Sequence, residues 1–182
     1  MSGLTVKKVH IGNHEAKQVY FEAFPKNERM PYLLMILMSK LWNTDFLIFY
    51  DGATPVGIMY LAKNFRLVFV MFFAVAKEFR GRGYGSKILR DISAKYRRKI
   101  IISIEPCDCD ANDLDIRQKR KAFYQKNGYS DTEYRMKLNG VEQEIIIAGG
   151  EFKKGEFVSF FAHYSNGTVW PKIWKYSDGE VL

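Results

Sequence analysis

A stretch of 17 residues limits the folds open to this chain: residues 74–90 read AVAKEFRGRGYGSKILR. A strand-like apolar run ends at Val75, a short link follows, and Arg80-Gly81-Arg82-Gly83-Tyr84-Gly85 turns directly into an amphipathic helix with Ile88, Leu89, Ile92 and Tyr96 on one side. A strand, glycine-rich turn and helix in this order aim several backbone N–H groups and a helix N-terminus at one point, which suits a phosphate or pyrophosphate. Glycine keeps side chains away from such a ligand and permits turns that other residues strain to adopt. No window supplies the GxxxxGK[ST] of a P-loop. The dinucleotide fingerprint needs GxGxxG near the start of a βαβ unit, whereas this turn is GxGxG and follows several predicted strands.

The remaining chain reads as strands and helices without repeats or linkers. Leu4–Val9 predicts a first strand. Asn13 can cap a helix with Ala16, Val19, Tyr20 and Ala23 on one face, stopped by Pro25. A second helix starts near Pro31 and carries Leu33, Leu34, Leu37 and Met38 to about Lys40. Strands are expected over Phe46–Tyr50, Val56–Ala62 and Phe65–Ala76, turning at Asp51-Gly52 and Lys63-Asn64. Ile100–Ile104 fits a buried central strand. Leu114–Asn127 reads as a helix closed by Gly128, and Tyr134–Leu138 and Val141–Ile147 flank Asn139-Gly140 as a hairpin.

Two signatures then resemble one family. Arg80, Gly83 and Gly85 match the (Arg/Gln)-x-x-Gly-x-(Gly/Ala) motif of the GCN5-related N-acetyltransferases, abbreviated GNAT. About 40 residues on, Ala122-Phe123-Tyr124-Gln125-Lys126-Asn127-Gly128-Tyr129 looks like that family's (Phe/Leu)-Tyr-x-x-x-Gly-(Phe/Tyr). The element order over residues 4–147 is also similar to the GNAT order. The resemblance implies an α/β (α+β) fold with a central mixed, twisted sheet of about seven strands flanked by about four helices. Residues 1–150 would form the core. Residues 151–182, rich in aromatics, would be a C-terminal extension packed on the same domain.

By resemblance, the chain is an N-acetyltransferase using acetyl-CoA and releasing CoA. Its acceptor is the primary amine of a small molecule (amino acid, polyamine, antibiotic-like amine) or a peptide N-terminus. The pyrophosphate would lie on the amides of Gly81, Arg82, Gly83, Tyr84, Gly85 and Ser86, with Arg80 and Arg82 either adding charge or standing exposed. The pantetheine arm would pair with Phe73, Ala74 and Val75, and Tyr124 would donate a proton to the leaving thiolate. The asparagine that many members place seven residues before the tyrosine is Arg117 here, and Asn112 lies twelve residues before it; Arg117 or Lys121 could reach a phosphate instead. The fourth strand has no acid, so Glu105 is either a base acting through water or a strand-end charge. Glu28 and Arg29, between two prolines, are either a pair for the amine and carboxylate of a small acceptor or a surface ion pair or helix-end charge. A GNAT-fold protein that binds CoA without chemistry is the alternative.

Composition trims the other classes. The net charge of +8 allows polyanionic partners, but no helix-turn-helix, RRM or zinc-finger signature accompanies it, so no nucleic-acid partner is expected. No apolar run approaches the roughly 18–20 residues of a membrane span, and the N-terminus lacks a signal-peptide layout. Cys107 and Cys109 stand too close for an unstrained disulfide, and His10, His14 and His163 are scattered. A cytoplasmic protein without a metal is expected, and the family adds the homodimer as a common arrangement.

Overall fold

A computed structural model describes residues 3–41, 43–107, 113–138 and 140–176. Among these are eight strands and five α-helices, a mixed α/β fold. The chain divides into two compact units, Met1–Arg97 and Arg98–Leu182.

The first unit contains β1 (Thr5–Lys8), α1 (His14–Ala23), α2 (Tyr32–Leu41), β2 (Thr44–Asp51), β3 (Thr54–Lys63), β4 (Leu67–Val75) and α3 (Tyr84–Tyr96). Its strands pair antiparallel in chain order. Asn13 caps α1 as expected, its Oδ1 accepting the Ala16 N–H at 2.8 Å. α2 sends Tyr32, Met35 and Ile36 into the core and leaves Leu33, Leu37 and Leu41 exposed. Apolar residues lie nearly all round this helix, so its periodicity does not choose a face. Phe65 lies outside β4, 76% exposed in the turn before it.

Two features of the strands shape the end of β4. Phe72 stands opposite Tyr60 and Val70 opposite Leu61, so Met71 is an extra residue, a β-bulge that bends the strand. Further along, Gly57 faces Val75, and a Cβ on Gly57 would lie 2.7 Å from the Ala74 carbonyl oxygen and 2.9 Å from Ile88 Cδ1.

One buried acid ties this unit together. Asp45 on β2 pairs with Lys63 of β3 and with Lys8 of β1 at 3.2 Å, and it accepts the Tyr96 hydroxyl of α3 at 2.7 Å. Burial pushes its carboxyl up, but the bonds from Lys63, Tyr96 and Lys8 outweigh it and hold Asp45 below the ordinary carboxylate value. With a folded pKa below the unfolded one, this stabilisation is present above about pH 4 and is lost as pH falls through the folded value. Asp45→Asn is expected to cost about 2 kcal/mol at pH 7 and much less at pH 3, read from urea unfolding at both. An equal loss at the two pH values would show that the charge contributes nothing.

The second unit contains β5 (Lys99–Ile104), α4 (Leu114–Lys126), β6 (Ser130–Leu138), β7 (Val141–Ala148), α5 (Lys154–Tyr164) and β8 (Lys172–Lys175). β7 pairs antiparallel with β5 and with β6, and β8 pairs antiparallel with β6. The β6–β7 hairpin forms where expected, with Gly140 at φ 83°, while Asn139 of the expected turn lies outside the described residues. Beyond residue 150, α5 buries Phe157, Phe160 and Phe161, and Lys99 of β5 meets Glu156 at 2.8 Å.

Candidate active site

The glycine turn has the expected form. β4 ends at Val75, a short 3-10 turn covers Lys77–Phe79, and Gly81 and Gly83 take φ of 74° and 82°, where glycine is strongly favoured. α3 starts immediately after Gly83, and its first intrahelical bond runs from the Lys87 N–H to the Gly83 carbonyl at 3.1 Å. The N–H groups of Tyr84, Gly85 and Ser86 therefore have no carbonyl one turn back and point out of the helix end, with the positive end of its dipole. Added Cβ atoms at Gly81 or Gly83 would meet nothing within 4 Å, so the space over the turn is open. Gly85 has no positive φ, so backbone conformation does not require glycine there.

Side chains brace this turn. The Tyr84 hydroxyl donates to Asp51 Oδ2 at 2.6 Å, which ties the turn to the β2–β3 connection. Arg80 Nε donates to the Val75 carbonyl at 3.2 Å, and the Arg82 guanidinium lies over the Phe79 ring, 5.7 Å from its centre. The turn and the β4 end (Phe73, Ala74, Val75) are thus brought together in one unit by Arg80. The open amides and the exposed Arg80 and Arg82 fit a pyrophosphate.

The link between α1 and α2 holds Glu28 exposed. Arg29 donates from Nε to the Phe24 carbonyl at 2.5 Å and from its terminal nitrogen to the Phe21 carbonyl at 2.6 Å, and it stacks over the Phe21 ring. These contacts satisfy carbonyls at the C-terminus of α1 and explain Arg29 without a substrate.

In the second unit, Tyr124 is buried near the C-terminus of α4. Its carbonyl accepts the Tyr129 N–H at 3.1 Å, Gly128 takes φ 82°, and the Tyr124 and Tyr129 rings meet edge to face at 5.6 Å. The Gly-Tyr of the second signature is thus a helix-stop motif that fixes the tyrosine. Burial, with a smaller push from Glu105 and a pull from Arg120, raises the Tyr124 phenol to about 12, so it keeps its proton at neutral pH. Glu105, at the end of β5, is paired with Arg120. Burial raises its carboxyl, yet Arg120, its own backbone N–H and Arg117 hold it below the usual range.

Arg117 bonds Asp113 Oδ1 at 2.7 Å and the Pro106 carbonyl at 3.0 Å, and Lys121 bonds Asp131 and Glu144 at 2.7 Å each. Both cations proposed to replace the family's asparagine therefore have protein partners. Asn112 and Cys109 lie outside the described residues. The sequence marked Asp51 only as a turn residue and did not single out Arg120 or the buried Glu144. Glu144 stands beside Glu142 and Gln143 in VEQEIII, so nothing local sets it apart from its polar neighbours. Among the described residues no group of three or more His, Cys, Asp or Glu could hold a metal, and no helix is long and apolar enough to cross a membrane.

The sequence model of the family described as acetyltransferase (GNAT) domain matches residues 42–131, which include both signatures. No curated protein matches the chain by sequence. Among solved structures, a protein of Bacteroides thetaiotaomicron assigned to the GNAT acetyltransferases is similar over 90% of this chain and 99% of its own, with a TM-score of 0.74 at 17% identity. A GNAT acetyltransferase of Elizabethkingia anophelis, solved with acetyl-CoA, is similar over 81% of this chain and 96% of its own, with a TM-score of 0.55 at 18% identity. Arabidopsis thaliana Naa50, solved with a bisubstrate analogue of CoA and a peptide, is similar over 83% of this chain and 100% of its own, with a TM-score of 0.57 at 17% identity. The chain therefore has the GNAT fold, and its residues 42–131 are similar to the acetyltransferase (GNAT) domain.

Proposed function

We propose that this protein moves an acetyl group from acetyl-CoA to the primary amine of a small molecule or a peptide N-terminus. The observation that carries the reading is the turn at residues 80–86. Two left-handed glycines there present the open N-terminus of α3 beside the end of a bulged β4. The structures solved with acetyl-CoA and with a CoA–peptide analogue support this choice of donor and acceptor.

Acetyl-CoA, when bound, supplies an activated thioester. The amides of Gly81 to Ser86 bind its pyrophosphate, and Arg80 and Arg82 add positive charge. The backbone of Phe73, Ala74 and Val75 aligns the arm, and one of its amides polarises the carbonyl. Tyr124 holds a proton for the departing sulfur. Glu105 stays ionised through the working range. Its pairing with Arg120 makes it a weak base, so it acts on the amine at most through water. The basic net charge disfavours polycationic acceptors, since like charge lowers their local concentration.

Calorimetry with acetyl-CoA tests the reading on the wild type and on Gly83→Glu. The variant forces a side chain into a left-handed conformation and sets a negative charge at the helix N-terminus, so binding should weaken roughly 30-fold with circular dichroism unchanged. Absence of binding to the wild type would make the turn purely structural and end the proposal.

A further inference from the structure

α4 is attached to its unit largely by charge. Its inward stripe is Leu114, Arg117, Lys121 and Tyr124, at i, i+3, i+7 and i+10, and two of these four are cations. Tyr124 is the residue of this helix that is fully buried. Lys121, one turn before it, places Nζ 2.7 Å from Glu144 Oε2 on β7 and 2.7 Å from Asp131 Oδ2 on β6.

Glu144 is the centre of this network. It is 3% exposed, and its Oε1 accepts the Cys107 N–H at 3.2 Å and faces the Arg135 guanidinium at 3.4 Å. One carboxylate thus holds α4, β6 and the segment after β5 in register. Asp131 is braced in turn, its Oδ1 accepting the Tyr176 hydroxyl from beyond β8 at 2.7 Å.

An apolar group of similar volume would stabilise such a position as well or better, so stability alone is a poor reason for buried ions here. What the network does supply is a single setting for α4. Lys121 and Tyr124 share a face one turn apart, so any shift of the Lys121 head rotates or slides the tyrosine.

We propose that Glu144 is a positioning residue: through Lys121 it sets the rotation of α4, and so where the Tyr124 hydroxyl stands, with Tyr176 bracing the outer carboxylate. The proposal rests on the role given to Tyr124 above.

The test uses the full chain carrying tyrosine labelled with carbon-13 in the ring. The Tyr124 signal is identified by its loss in Tyr124→Phe. Glu144→Gln should move or broaden that signal and lower thiol release from acetyl-CoA, with water as acceptor, about tenfold at unchanged KM for acetyl-CoA. In the Tyr124→Phe background, Glu144→Gln should change turnover by less than about twofold, because the group it positions is gone. An unmoved signal, or losses that simply multiply, would overturn the proposal. Should Glu144→Gln not fold, Tyr176→Phe reads the same coupling from the exposed end: a displaced Tyr124 signal supports it and an unchanged one overturns it. Full turnover in Tyr124→Phe alone would instead remove the acid role, while the signal still reports whether Glu144 sets the ring.

Discussion

Replacing Tyr124 with phenylalanine is expected to lower turnover roughly 100-fold while leaving acetyl-CoA affinity unchanged. The ring is buried and packs edge to face on Phe123 and Tyr129, contacts that phenylalanine keeps, so the loss isolates the hydroxyl. Its size follows from the phenol's state. Burial lifts that phenol to about 12, well above the ~8.5 at which a thiol ordinarily titrates, so complete proton transfer to sulfur is uphill. In the role proposed for it, the hydroxyl would act as a charge-assisted hydrogen-bond donor to the forming thiolate, worth about 1.5–3 kcal/mol, which corresponds to a factor of roughly 10 to 150. The same shift fixes the pH dependence. Tyr124 stays protonated up to about pH 12, so activity should rise with pH as the acceptor amine loses its proton, with no fall from Tyr124 below about pH 11. Thiol release at saturating acetyl-CoA with a primary amine in excess, across about pH 6–11, measures both. Wild-type turnover in the phenylalanine variant would leave Tyr124 a core residue.

Much of the fold was legible because its elements are locally encoded. The Asn13 cap, the stop before Pro25, the glycine turn and the β6–β7 hairpin each depend on a few neighbouring residues, and each is present. What stayed hidden depends on tertiary partners. Leu33, Leu37 and Leu41 are as apolar as Met35 and Ile36, and only the packing of α2 against β2 and α1 shows which side is covered. The bulge at Met71 leaves no local mark, because an extra residue in an all-apolar strand changes no pattern. Of the candidate site, the form of the glycine turn was readable from glycine spacing. The partners that tune the reactive groups were not: Arg120 sits in a run of basic residues, and Glu144 becomes notable only once β5, β6 and α4 close around it.

Gly57 carries the other large expected effect, since the β4 end and α3 meet over it. Gly57→Val is expected to cost about 3 kcal/mol or to prevent folding, and Gly57→Ala to cost about 1–2 kcal/mol. The direction is diagnostic. Gly57 lies inside β3 and has no positive φ, and alanine at an ordinary strand position stabilises by about 0.5–1 kcal/mol by restricting the unfolded chain. Here the new methyl would sit 2.7 Å from the Ala74 carbonyl oxygen, a backbone atom that moves only if β4 moves, and 2.9 Å from Ile88 Cδ1. Relief requires either β4 to withdraw from β3 or α3 to lift, and both carry the groups assigned to acetyl-CoA: Phe73–Val75 on one side, the first turn of α3 on the other. Stability and acetyl-CoA affinity should therefore fall together in the alanine variant, by urea unfolding and calorimetry on the same sample. A stabilised Gly57→Ala would mean that the Ile88 side chain and the strand end relax freely. Lost stability at full affinity would mean that the strain is absorbed away from the site.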